Sequence, residues 1–192
     1  MKNKIAKLIF IIMLISGWAV AALVYEIIHY NVNQKDFNDY KVSELKEGSA
    51  YTGDVNMVLD IIASSEDEKS SYYLIVISKD DYEGYCILET AHMQNEIENL
   101  CQQSWDYMTG ESDNAGTPVH IRADLCEAED DVIKWAEEWF ENDGNADAVS
   151  ELCQYKLVQR ENSLAKSVIL LTVFLAVFAG SIICYIIWRK KV

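Results

Sequence analysis

The sequence predicts an α+β protein in which two transmembrane helices flank a small, mostly antiparallel β domain, an OB-like barrel with one or two helices. Three observations predict it. Uncharged apolar runs occupy residues 8–25 and 167–188. Charge is segregated between them: the 192-residue chain has a net charge of −15, but residues 31–163 alone hold nine basic and thirty acidic side chains, a net charge of −21. Within that block the apolar residues recur with a period of two in some stretches and near 3.6 in others, so strands and helices share one domain.

The first run is about 27 Å long at the helical rise and resumes after Glu26 with Ile27 and Ile28, which brings it to the thickness of a bilayer core. The second is longer. Residues 8–28 and 167–188 therefore read as spans, with tails 1–7 and 189–192. Lys2, Lys4 and Lys7 flank the first span and Arg189, Lys190 and Lys191 close the second, which places both termini in the cytoplasm and residues 31–163 outside it. Tyr25, Tyr30 and Trp188 fall at the aromatic-belt positions. Ala19-Val20-Ala21 also has the form of a signal-peptide cleavage site, but the apolar character runs on through Leu23, Val24, Ile27 and Ile28, as in a retained anchor. Gly17 with Ala21, and Ala176 with Gly180 and Cys184, are spaced by four, which suits close helix packing and is also ordinary span composition.

In the middle block, Val55, Met57, Leu59 and Ile61 alternate with Asp54, Asn56 and Asp60, predicting a half-buried first strand. An acidic turn at residues 65–69 leads to Tyr72-Tyr73-Leu74-Ile75-Val76-Ile77, an aromatic and β-branched second strand. Lys79-Asp80-Asp81 turns into a third strand over residues 85–90. Ile97, Leu100, Cys101, Trp105 and Met108 then change to helical spacing, so a helix over about 94–108 lays one face on the sheet. After a loop at 110–116, Val119, Ile121, Ala123 and Leu125 alternate with His120, Arg122, Asp124 and Cys126 as a fourth strand. Glu129-Asp130-Asp131 puts negative charge at the start of a second helix, over residues 130–142, carrying Val132, Ala136, Trp139 and Phe140. Tyr155, Leu157 and their neighbours make a short fifth strand before the second span. Three strands, a helix, a strand, an inserted helix and a late strand is the order of the five-stranded OB barrel, although an α+β sandwich has the same periodicities.

The layout of basic tail, span, acidic domain, span and basic tail, with residues 48–53 (Gly-Ser-Ala-Tyr-Thr-Gly) before the first strand and Tyr72-Tyr73 in the second, resembles uncharacterised two-span membrane proteins of Gram-positive bacteria with an extracytoplasmic OB-like domain. The resemblance implies a bacterial cell-envelope location and brings no activity with it.

Signals for chemistry are sparse. Cys86, Cys101, Cys126 and Cys153 lie in the outer block and allow two disulfides in any of three pairings, or free thiols acting as small apolar side chains; none forms a Cys-x-x-Cys. Asp143, Asn145 and Asp147 stand at the first three ligand positions of a calcium loop, but Ala148 replaces its glycine and Gln154 its closing glutamate, so a polar turn before a short helix near Val149 is expected. His92 and His120 lie in the block without a zinc-protease or nucleophile-elbow motif, and His120 reads as a solvated strand residue. Glu66 with Glu68 and Asp130 with Asp131 read as solvated acids. No catalytic, cofactor-binding or metal residue is singled out. The expectation is a non-enzymatic, membrane-anchored protein without cofactor, whose acidic domain is a protein-interaction, sensing or immunity-type accessory module. Its expected partners are the bilayer and a protein, not nucleic acid, since phosphate binding needs a basic footprint. The alternative is a domain that binds a sugar or divalent cation in the barrel mouth, with Tyr72, Tyr73 and Tyr85 lining a groove.

Overall fold

The computed structural model describes residues 2–29, 34–65, 69–160 and 164–190. They belong to two compact units, residues 34–161 and the flanking segments 1–33 with 162–192.

The flanking unit is a pair of long helices, α1 (Lys2–Ile27) and α4 (Leu164–Lys190), packed on each other. Both are long and apolar enough to cross a membrane. Ser16 and Ser181 are buried in the pair, and each hydroxyl bonds a carbonyl of its own helix, Ile12 and Phe178 respectively. Gly17 admits the ring of Phe178: a Cβ there would lie 3.1 Å from its Cε2. The other small residues do not serve the contact. Gly180 faces open space, and Ala21, Ala176 and Cys184 are exposed. Tyr25 stacks on His29 with ring centroids 5.6 Å apart, and Tyr30 lies outside the described residues.

The domain is built on one seven-stranded sheet: β1 (Lys35–Asp36), β2 (Ala50–Val55), β3 (Val58–Ser64), β4 (Ser71–Lys79), β5 (Tyr82–Thr90), β6 (Val119–Glu127) and β7 (Leu152–Gln159). Spatial order is β1-β2-β6-β7-β5-β4-β3, antiparallel except for β1–β2 and β5–β7. Two helices, α2 (Gln94–Met108) and α3 (Asp130–Asn142), lie within a residue or two of their predicted limits.

The sheet is open, not a closed barrel. The single first strand expected from the alternation is broken at Asn56 and Met57: β2 runs beside β6, while β3 runs beside β4 with two register shifts. No ladder joins β2 to β3. Of the acidic turn that follows, Glu66, Asp67 and Glu68 lie outside the described residues; Ser65 closes its base by accepting from the Lys69 and Ser70 amides. The β4–β5 hairpin turns through Asp80 at φ 52°, a left-handed conformation that Asp tolerates.

Both faces of the central strands are buried, which explains why β4 reads as a continuous apolar run. On one face Tyr73, Ile75, Ile77, Cys86 and Leu88 join Phe37, Ile97 and Leu100 in the larger core. On the other, Leu74, Val76 and Ile87 meet Val132, Ala136 and Phe140 of α3. The helical stripe of α2 is shorter than its apolar residues suggest. Trp105 and Met108 are exposed, and Ser104 takes the buried place, donating to the Leu100 carbonyl and accepting the Val58 amide at 3.1 Å. A buried amide needs a partner, so a small hydroxyl serves there better than an apolar side chain.

Candidate functional site

Three polar constellations and one thiol pair follow from this frame. On the exposed face of β2 and β6, the register sets Asp54 opposite His120. His120 Nδ1 lies 2.7 Å from Asp54 Oδ1 and Nε2 3.1 Å from Thr52 Oγ1. The order carboxylate, imidazole, hydroxyl is that of a proton relay. Here its histidine and carboxylate are more than half exposed, and the Thr52 hydroxyl lies 3.2 Å from the Ile121 carbonyl, which accepts its proton. A surface depression of about 470 Å³, walled by Leu100, Pro118 and Val119, reaches His120 from the α2 side. His120 is thus solvated, as its alternation implied, and also partnered, which one strand read alone does not show.

The second constellation is a buried cation. Lys156 is 5% exposed, and its Nζ lies 2.6 Å from Glu129 Oε2 and 2.8 Å from Glu89 Oε2, and 5.3 Å from the Tyr72 ring centroid. Burial works against the Lys156 charge, but the hydrogen bonds it donates to Glu129 and Glu89, with the negative charge of both, outweigh it and raise its pKa. Glu129 answers in kind: burial pushes its carboxyl up, and the Lys156 bond, a bond from its own backbone amide and the Lys156 charge together more than reverse this, leaving it below the usual range. Glu129 is the N-cap residue of α3, yet its side chain makes no capping bond and is spent on Lys156 instead.

The third lies at the outermost long strand. Asp60, Ile61, Glu98, Cys101 and Trp105 border a groove of about 340 Å³ between β3 and α2. Its floor is apolar, with Ile61 and Trp105 exposed, and its rim is acidic. Asp60 is fixed by bonds from its neighbour's amide, Ile61 N, and from Trp139 Nε1. At its inner end the Tyr73 hydroxyl is 3.4 Å from Glu98, and burial together with that carboxylate pushes the phenol up to about 12.

The predicted aromatic groove does not assemble as one surface. Tyr73 has no exposed area, Tyr72 is half-buried under Lys156, and Tyr85 packs edge-on to Phe140 at 4.7 Å. The five cysteines are free. Cys86 and Cys153, on neighbouring strands β5 and β7, are buried in one core cluster, with Cys86 Sγ 3.6 Å from the Tyr155 carbonyl and Cys153 Sγ 4.0 Å from the Val42 carbonyl. The segment with calcium-loop spacing is the end of α3. Gly144 at φ 77° and the bonds from Gly144 to Glu141 O and Asn145 to Phe140 O make a Schellman motif. Among the described residues no group of three or more His, Cys, Asp or Glu converges on a metal-sized site.

Sequence reasoning did not find Lys156, Ser104 or the Cys86–Cys153 pair as a unit. A lysine set beside Leu157 and Val158 in a short strand was the available signal for the first. The others depend on which strands become neighbours.

No curated protein and no solved structure matches the chain. Residues 1–189 match a family model described as a domain of unknown function, DUF8577. That match covers nearly the whole chain, and the protein therefore belongs to the DUF8577 family.

Proposed function

We propose that this is a two-span protein of a Gram-positive bacterial cytoplasmic membrane, with the basic flanks of its spans cytoplasmic and its acidic domain outside. The domain is a non-enzymatic, OB-like interaction module that docks a basic surface of a partner protein. The observation that carries this reading is the concentration of charge: −21 over residues 31–163, with Lys79, Lys134, Lys156 and Arg160 each tied to a carboxylate of the domain itself. Such a field attracts a cationic surface and repels polyanions. The groove between β3 and α2, with Trp105 and Ile61 set between Asp60 and Glu98, has the apolar centre and charged rim of an interface anchor.

Support for the OB-like reading comes from the pairing. With β2 and β3 counted as two halves of one strand, the order of ladders is that of a five-stranded, partly open Greek-key barrel with α2 between its third and fourth strands. The face of β4 and β5 turned away from the main core is then covered by α3. That cover, and the packing of the three tyrosines, favour docking of a protein over a small ligand in the barrel mouth.

The test is crosslinking on intact cells with a membrane-impermeant amine reagent and a tagged copy, comparing wild type with a Trp105→Ala/Glu98→Gln variant. The expected result is labelling of Lys69, one dominant partner, and at least a fivefold loss of that partner in the variant and at high salt. Labelling that requires permeabilised cells overturns the orientation. A partner yield unchanged by both the variant and salt overturns the docking reading.

A further inference from the structure

The thiol pair has the parts of an exchange site. Cys86 on β5 and Cys153 on β7 belong to one core cluster, at 0% and 4% exposure. Their strands pair in parallel, and the register shifts between Tyr85 and Ile87, so Cys86 faces a widened stretch of β7. Adjacent strands lie about 4.8 Å apart, inside the roughly 4.4–6.8 Å that a disulfide spans between Cα atoms. Cys86 Sγ lies 3.6 Å from the carbonyl of Tyr155, two residues along β7 from Cys153, and the two thiols are close enough in that buried cluster to perturb each other's ionisation.

The two thiols differ in access. Cys153 lines a depression of about 230 Å³ that opens to solvent beside Val42, Leu45 and Glu151. Cys86 is fully buried and does not border it. They also differ in ionisation. The neighbouring Cys86 thiol, working against burial, holds the Cys153 thiol below the usual range, and the neighbouring Cys153 thiol together with burial pushes Cys86 well above it. Elsewhere in the domain, burial and the carboxylates of Asp60 and Glu98 raise Cys101 to about 11, and burial and Asp124 raise Cys126. The thiolate is the attacking species in exchange, so Cys153, which borders the depression and has the lower pKa, is the thiol of the pair placed to meet a reagent.

We propose that Cys153 and Cys86 form a thiol–disulfide exchange site that closes to an intramolecular Cys86–Cys153 disulfide by reaction with a small disulfide. The Cys153 thiolate attacks one sulfur of the donor disulfide, forming a mixed disulfide and expelling one donor thiolate, which takes up the proton Cys153 gave. Cys86 then loses its proton and attacks the Cys153 sulfur, expelling the second donor thiolate, which takes that proton. Two protein thiols are oxidised and one donor disulfide is reduced to two thiols. The product bond ties β5 to β7 across the register shift. It encloses α2, β6 and α3 in one covalent loop.

The experiment uses the full chain, reduced and then freed of reductant, in detergent micelles with oxidised glutathione, followed by alkylation and non-reducing peptide mapping. Expected are a single linked peptide pair joining Cys86 to Cys153, and loss of two of the alkylatable thiols. In Cys86→Ser, glutathione is retained on Cys153; in Cys153→Ser, none is found on Cys86. Recovery of both wild-type cysteines alkylated, while a small dithiol in the same tube is fully oxidised, overturns the proposal. So does linkage of Cys153 to any cysteine other than Cys86. Circular dichroism matched to wild type qualifies the variants, and the wild-type mapping decides the question without them.

Discussion

Lys156 is a charged side chain held almost out of solvent, and its stability contribution is electrostatic in both directions of pH. Glu129, with its carboxyl pKa depressed, contributes stability above the usual glutamate range, and this is lost as pH falls through the depressed value. Lys156, with its pKa raised, contributes stability that is full below the usual lysine range and is lost as pH rises through the raised value. Both contributions are present at neutral pH. Lys156→Met is expected to destabilise the domain by about 3 kcal/mol at neutral pH, the lower end for a broken buried pair because Glu129 is half exposed. The deficit should shrink in acid as the abandoned carboxyls protonate, and adding Glu89→Gln and Glu129→Gln should recover most of it. Urea unfolding at neutral pH and near pH 4 measures both. His120 and Asp54 lie 2.7 Å apart with both side chains more than half exposed, and their position on alternating strands was enough to place them outside. Ser104 was not legible, because only the neighbouring strand shows that an amide there needs its hydroxyl.

At the scale of elements, the period of the apolar residues located α2 and α3 closely, since a helix laid on a sheet must present one face. What α3 covers was not readable from its own residues. It closes the second face of β4 and β5, with Phe140 1% exposed between Tyr85 and Trp139. Phe140→Ala should cost about 3–5 kcal/mol in urea unfolding, the usual range for a large core truncation. Trp139→Phe, which keeps the ring and drops the 2.9 Å bond to Asp60, should cost about 1 kcal/mol. In the helix pair, one of the small residues singled out by spacing is at the contact. Gly17→Phe puts a ring where that of Phe178 already lies. Bifunctional crosslinking between cysteines introduced at Ser16 and Ser181 in membranes should fall several-fold in that variant, whereas Gly180→Ala should leave it unchanged.

For the whole molecule, the first apolar run decides whether one anchor or two remain. Retention of both spans predicts that the intact mass of the membrane-extracted protein includes residues through Ala21; a chain beginning at Ala22 would make that run a removed signal. Composition and period by themselves determined a great deal: two membrane-length helices, a separate acidic domain, its helices and most of its strands. These are local properties, readable because burial imposes a period on each element and a bilayer imposes a length. Tertiary structure decided the rest. The continuous alternation through residues 55–61 conceals the break at Asn56 and Met57 that leaves the sheet open, because both halves keep an apolar face while changing partners. Likewise β5 and β7 are far apart in sequence, and only their parallel pairing brings Cys86 to Cys153 and Glu89 to Lys156. Which strands become neighbours is set by the packing of the two cores as a whole, a non-local property that no single element's pattern encodes.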